Sequence, residues 1–156
     1  MSELPTYRPQ ILAEWIDYNG HVRDAYYGLL FSYAIDDLMD RLGIDEAYRQ
    51  STKNTLYSLE MHTYFLREVK QTDRIHVLTG IIAADGKRLH VATALHCERF
   101  PEAAATSEFM LLHVHQGEVV KSAPFPPQIR VRVDEQVTLT ARHPALGAAS
   151  RKIELR

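Results

Sequence analysis

Cysteine is almost absent. Cys97 stands alone among 156 residues, which excludes an internal disulfide and a zinc cage built on cysteines. A single thiol is read as a reduced, buried small hydrophobe of an intracellular protein. Charge of one sign is also lacking: 18 basic against 20 acidic residues leave a net charge of -2. That balance offers nothing to draw the molecule onto nucleic acid or an anionic membrane. Long apolar runs are missing too, the longest being Tyr26 to Ile35, too short for a bilayer. The start, Met1-Ser2-Glu3-Leu4-Pro5, has neither a basic nor an apolar leader region. A cytoplasmic protein with no membrane or nucleic-acid partner is expected. No Gly-x-Ser-x-Gly elbow occurs, so Ser32 and Ser58 lack the setting of a nucleophile.

What is present suits one globular domain. Apolar residues are 46% and charged residues 24%, and a chain of this length buries roughly two-thirds of its surface. Alternation of Ile11, Ala13 and Trp15 predicts a strand over Tyr7 to Ile16. Asp17-Tyr18-Asn19-Gly20 is turn chemistry. Apolar residues from Ala25 to Leu42 recur at helical spacing, predicting a helix over Asp24 to Leu42 that Gly43 stops. Asp45 is placed to cap a short helix through Gln50. Strands are predicted over Tyr57 to Leu66, Arg74 to Ala84, Lys87 to Cys97 and Thr106 to His115, the last continuing through Val119 to Lys121. Asp85-Gly86 is a two-residue hairpin signal between the second and third of these. In the first, Tyr57, Leu59, Met61 and Phe65 alternate with Ser58, Glu60, His62 and Tyr64. Pro124-Phe125-Pro126-Pro127 ends the series. Residues 1–127 are read as the domain. Residues 128–156, with six basic and three acidic side chains, are read as a basic tail appended to it.

One strand cannot bury a long apolar helix, so the later strands must wrap around it. An α+β fold follows, with an antiparallel sheet curled about a single helix. Open sheet edges favour pairing of subunits.

The densest polar cluster runs from Asp17 to Tyr27, between the first strand and the helix. It sets a carboxylate beside a helix N-terminus, whose unpaired N–H groups and positive dipole end suit an oxyanion. An acid and backbone donors suffice for acyl transfer to water. By spacing alone the simpler reading is a turn shaped by Asp17 and Asn19 and a helix capped by Asp24. His21 either serves a reacting group or hydrogen-bonds the turn. His113-x-His115 has a spacing a metal could use, but no third ligand is near, and no metal or organic cofactor is expected. His96 and Cys97 are adjacent in a strand and point to opposite faces, which argues against a thiol nucleophile.

Asp17-x-x-Gly20-His21-Val22, ahead of a long helix and antiparallel strands, resembles the hotdog-fold acyl-CoA thioesterases of the 4-hydroxybenzoyl-CoA thioesterase type. Glu14-Trp15-Ile16-Asp17-Tyr18-Asn19-Gly20-His21 and Arg23-Asp24-Ala25 are more narrowly similar to the betainyl-CoA thioesterases of carnitine breakdown. So are Leu59-Glu60-x-His62, Lys87-Arg88-Leu89-His90, Met110-Leu111-Leu112-His113-Val114 and Ala123-Pro124-Phe125. The likeness covers about residues 7 to 126. Many relatives carry Asn where this chain has Arg23.

The resemblance implies a hotdog fold and hydrolysis of a small acyl-CoA to the free acid and coenzyme A. Asp17 would be the catalytic carboxylate, as nucleophile or general base, with His21 beside it and the backbone N–H at Asp24 polarising the thioester oxygen. Gly20 would shape the substrate turn. The aromatic residues around and after the motif, Trp15, Tyr18, Tyr26, Tyr27, Tyr57, Tyr64 and Phe65, aided by Glu60, would cage a trimethylammonium group, with Tyr57 and Tyr64 the first choices, although core packing is the plainer use for aromatic residues. Arg67, Lys87 and Arg88 are candidates for the coenzyme A phosphates. A homodimer or homotetramer is expected. A non-catalytic acyl-CoA-binding module and a hotdog hydratase or dehydratase are the competing readings.

Overall fold

The computed structural model describes residues 3–146, and the tail beyond Leu146 lies outside the described residues. The elements are β1 (Thr6–Tyr7), a 3₁₀ turn (Ala13–Trp15), α1 (Asp24–Leu42), α2 (Glu46–Thr52), β2 (Asn54–Phe65), β3 (Ile75–Ala84), β4 (Arg88–Cys97), β5 (Ala103–Gln116), β6 (Val120–Ser122) and α3 (Pro127–Thr140). One antiparallel sheet runs in the order β1-β3-β4-β5-β2, with β6 paired to β5. This is the α+β arrangement expected, a sheet wrapped around one long helix.

α1 begins and ends where its sequence dictates. Gly43 adopts φ 80°, and the Ile44 N–H reaches back to the Met39 carbonyl at 2.9 Å, a left-handed helix stop that favours glycine. Leu30, Phe31, Leu38 and Leu42 are fully buried against Val77, Ile81, Leu89, Val91, Leu95 and Leu111 of the sheet. Each such side chain stabilises the fold by about 1.5–3 kcal/mol. α2 is capped as predicted, the Asp45 carboxylate accepting from the Tyr48 N–H at 2.9 Å.

Two expectations are corrected. Tyr7 to Ile16 is not a strand: only Thr6 and Tyr7 pair with β3, and residues 13–15 form a 3₁₀ turn with Trp15 N–H bonded to the Leu12 carbonyl. Pro9 has no N–H to give a ladder, and the buried Trp15 finds its partner by stacking on Tyr26 at 5.6 Å. The region after the prolines is also more than an appendage in its first half. Pro127 starts α3, and Ile129, Val133, Gln136 and Thr140 recur on its buried face. Ile129 and Val133 enter the main core. Leu139 and Leu146 join Leu4, Leu78, Ala92 and Ala94 in a second cluster. Along β4, Ala92 and Ala94 alternate with Val91 and Leu95, so the two clusters lie on opposite faces of the sheet. α3 thus packs along β3 beyond the reach of the short β1.

β2 is the other edge of the sheet, and among the described residues nothing pairs with its outer side. A β-bulge falls between Ser58 and Glu60. It moves Tyr57 to the face opposite Met61 and Phe65, because Tyr57 stands opposite Leu112 whereas Met61 and Phe65 stand opposite Phe109 and Ala105. The expectation that Tyr57 shares a face with Met61 and Phe65 is corrected at that point.

Candidate active site

The turn between the 3₁₀ segment and α1 is tied at both ends. The Asp17 N–H donates to the His21 carbonyl at 2.9 Å, and Gly20 N–H donates to the Asp17 carbonyl at 3.0 Å. Gly20 has φ 79° with open space around it, so glycine is required by conformation and not by crowding. The Asp17 carboxylate folds over its own turn: Oδ1 accepts from the Asn19 N–H at 2.8 Å and, at 3.4 Å, from the His21 N–H. Oδ2 has no partner among the described residues. One oxygen is fixed and the other is available for chemistry.

α1 starts seven residues later without a side-chain cap at Arg23. The Asp24 carboxylate turns back onto the Ala25 N–H at 2.8 Å, and Tyr26 N–H bonds the Arg23 carbonyl. The Asp24 N–H has no acceptor among the described residues. It sits at the positive end of a 19-residue helix, where a developing negative charge is stabilised.

Asp17, His21 and Asp24 all line one cleft of about 530 Å³, together with Arg67, which sequence reasoning had also singled out. Tyr18, Arg23, Tyr27 and the segment Phe65-Leu66-Arg67-Glu68 complete its walls. Tyr27 is buried, and its ring meets Phe65 edge-on at 5.2 Å. Burial pushes the Tyr27 phenol up to about 12, opposed by a hydrogen bond from the Val69 backbone, so it is a neutral hydroxyl at physiological pH. Arg67 lies over the Phe100 ring at 5.6 Å.

Other expected site residues are not brought to this cleft within one chain. Tyr26 stacks on Trp15. Glu60 and His62 pair with each other at 2.9 Å, opposite Met110 and Glu108 on the sheet face away from α1, and Tyr64 stands on that face opposite Thr106. Tyr57 is at the far end of β2, where Gln116 donates to its hydroxyl at 2.9 Å. Lys87 and Arg88 are also at that far end; Lys87 reaches Ser122 and Arg88 is paired with Asp85. Glu68 and Leu66 are wall residues that sequence reasoning missed, and their adjacency to Arg67 was the only signal.

The histidines at 113 and 115 are engaged elsewhere. His113 is fully buried, with Nδ1–H donating to the Ala123 carbonyl at 2.8 Å and Nε2 accepting from the Tyr48 hydroxyl at 3.0 Å. Burial lowers its pKa and favours this neutral form. His115 bonds Asn54 at 2.8 Å. Among the described residues no three His, Cys, Asp or Glu side chains are grouped to hold a metal ion, and no helix is long and apolar enough to cross a membrane.

A carboxylate with one uncommitted oxygen and an unpaired N–H at a helix start line the same cleft, the parts that acyl transfer to water needs. Comparison with known proteins bears on the family and its activity. Residues 11–133 match the thioesterase-like superfamily. Over 92% of this chain and 87% of the other, the sequence is 45% identical to a betainyl-CoA thioesterase of Pseudomonas aeruginosa. It is 32% identical, over 80% of this chain, to a quarter of a longer L-carnitine dehydrogenase/betainyl-CoA thioesterase of Rhizobium meliloti. Among solved structures, a candidate thioesterase of Pseudomonas putida KT2440 superposes with a TM-score of 0.86 at 41% identity, covering 100% of this chain and 98% of that one. A Staphylococcus aureus protein in complex with CoA gives the same TM-score of 0.86 at 26% identity and the same coverage. The chain belongs to the thioesterase-like superfamily and is a thioester hydrolase.

Proposed function

We propose that the chain hydrolyses betainyl-CoA to betaine and free coenzyme A in the cleft at Asp17. The observation that carries this reading is the free Asp17 Oδ2 beside the unpaired Asp24 N–H, in a chain so similar to the Pseudomonas aeruginosa enzyme. The thioester oxygen takes the Asp24 N–H and gains from the helix dipole as it becomes an oxyanion. Asp17 supplies the attack by one of two routes. As a base it takes a proton from water, the hydroxyl adds to the acyl carbon, the C–S bond breaks, and the proton passes to the departing thiolate. As a nucleophile its own Oδ2 adds to the acyl carbon and the C–S bond breaks to release the coenzyme A thiolate; water then cleaves the resulting anhydride to betaine and the restored Asp17 carboxylate, and a proton from that water passes to the thiolate. In a single turnover in ¹⁸O water, label in Asp17 marks the nucleophilic route, with water attacking the carboxyl carbon of the anhydride. His21 holds Asp17 through its backbone and lines the cleft. Arg23 and Arg67 are the cations at hand for coenzyme A phosphates. The reaction is placed in the cytoplasm, where a lone buried thiol stays reduced.

The trimethylammonium group takes neither donor nor acceptor, so aromatic faces and carboxylates must recognise it. Phe65 and Tyr27 are the rings that line the cleft of the same copy. Thiol release from a panel of acyl-CoAs tests the reading. Betainyl-CoA is expected to exceed its tert-butyl isostere in kcat/KM by about tenfold or more, and Phe65→Leu to shrink that gap. Equal values would leave a general short-chain thioesterase.

The site is completed by a second copy. β2 offers an open edge of 12 residues, with Leu59, Met61, Phe65 and Leu66 exposed beside it. Antiparallel pairing of two such edges about a twofold axis sets the Asn54–Tyr57 end of one copy beside the Thr63–Phe65 end of the other. Tyr57, Lys87 and Arg88, all at that end of the sheet, then approach the neighbouring cleft. Sedimentation at micromolar concentration is expected to show a homodimer or homotetramer, and a dominant 17.9 kDa species would refute the shared site.

A further inference from the structure

We propose that Arg99 is a positioning residue for the hydrolysis: from outside the cleft it holds the wall segment that keeps Asp17 and the Asp24 N–H in register. The proposal rests on the thioester-hydrolase reading of the cleft and not on the identity of the acyl group.

Arg99 lies in the turn between β4 and β5. Its guanidinium grips the β2–β3 loop at two points. Nε and Nη2 donate to the two carboxylate oxygens of Asp73 at 2.6 and 2.7 Å, and Nη2 also donates to the Glu68 carbonyl at 3.1 Å. The plane is stacked over Phe100, 4.6 Å from the ring centre. The Asp73 side chain is only 4% exposed, and it also accepts from the Lys70 N–H at 2.8 Å. A bidentate pair whose carboxylate is buried and further hydrogen-bonded is the geometry in which an ion pair is specific.

The residue after Glu68 carries the connection inward. Val69 is buried, and its carbonyl accepts from the Val22 N–H at 2.8 Å. Val22 is the splice between the two reacting groups. On one side is His21, whose backbone clasps Asp17 through the 2.9 and 3.4 Å bonds. On the other is Arg23, followed by the Asp24 N–H that opens α1. The segment gripped by Arg99 is therefore the support against which the whole turn from Asp17 to Asp24 is registered. A shift of the order of 1 Å between reacting groups costs about 10²-fold in rate, so a clamp one hydrogen bond removed from them has leverage on turnover.

The clamp has a sharp test. Arg99→Lys keeps the charge but not the fork, and Asp73→Asn keeps the shape but not the charge. With the acyl-CoA that the wild type turns over fastest, each is expected to lower kcat about tenfold with KM changed by less than about twofold. The double variant should be no slower than the slower single one, because both break the same contact. Amide hydrogen exchange should accelerate at Val22 and remain unchanged at Leu89 and Leu95 of the sheet. Arg99→Ala should fall further than Arg99→Lys; if it does not fold, the Lys and Asn variants decide the matter. Wild-type kcat in these folded variants, additive losses, a rise in KM alone, or unchanged exchange at Val22 would each overturn the positioning role. If the wild type releases thiol from no acyl-CoA, the hydrolase reading falls, and exchange at Val22 alone then upholds or overturns the clamp.

Discussion

Two turns at opposite ends of this sheet are built on an aspartate and differ in one oxygen. At Asp17, Oδ1 accepts two backbone N–H groups and Oδ2 is left without a partner among the described residues. At Asp85, Oδ1 likewise accepts two, from Lys87 at 2.9 Å and Arg88 at 2.7 Å, but Oδ2 is taken by the Arg88 guanidinium at 2.7 Å. Those bonds hold the Asp85 carboxyl down at about 2, led by the Lys87 N–H. The surroundings diverge as well. The Asp17 turn runs into a helix start with a spare N–H. The Asp85 hairpin is tied down by Phe125, which donates to Gly86, and by Arg130, which donates to the Asp85 carbonyl. The same local chemistry leaves an oxygen open at one end and closes it with a guanidinium at the other.

The largest effect should come from removing the charge at the first turn. Asp17→Asn keeps shape and the Oδ1 contacts and is expected to lower kcat by about 10²–10⁴-fold, with an unchanged Tm confirming the fold. The helix donor can be deleted almost as cleanly. Asp24 is the first residue of α1, where proline is tolerated, and Arg23 already has φ -61° and ψ 142°, which proline accepts in the residue before it. Asp24→Pro should be about 10²–10³-fold slower than Asp24→Ala, which retains the N–H. Equal rates in those two variants would remove the Asp24 N–H from the mechanism. Asp85→Asn should leave kcat/KM within about twofold of the wild type. Its mark is at acid pH. A carboxyl held below its free value stabilises the fold fully above about 4, and that contribution fades as pH falls toward about 2. Tm measured across this window should drop less steeply for Asp85→Asn than for the wild type, by a small margin suited to an exposed ion pair.

The local part of this architecture was legible because local chemistry fixes it. α1 from Asp24 to Leu42, the Gly43 stop, the Asp45 cap and the Asp85-Gly86 hairpin each depend on residues within a few positions of one another. Asp17, His21 and Asp24 meet for the same reason. Long-range features were hidden. α3 sets Ile129, Val131, Val133, Val137 and Leu139 among Arg, Asp, Glu and Gln, and its buried Gln136 and Thr140 read as surface residues until β3 is laid beside them. Residues 11–15 alternate like a strand, yet Pro9 and the stacking of Trp15 on Tyr26 defeat the ladder. The face that Tyr57 takes was hidden because no residue type announces the bulge at Ser58. Arg99 went unread for a related reason: its partners Asp73 and Glu68 belong to a different loop.

That bulge also sets where the gene can change length. Elsewhere, loss of one codon in an exposed loop shortens a connection and little else. Loss of Leu59 would leave Ser58 opposite Leu111 and Glu60 opposite Met110, so β2 would alternate strictly with every side chain still on its present face. Loss of Thr63 instead would turn either Phe65 or Met61 away from the helix-facing side. The strand can therefore give up a residue at Leu59, which is 57% exposed, while the number of residues on either side of the bulge is under strict inheritance.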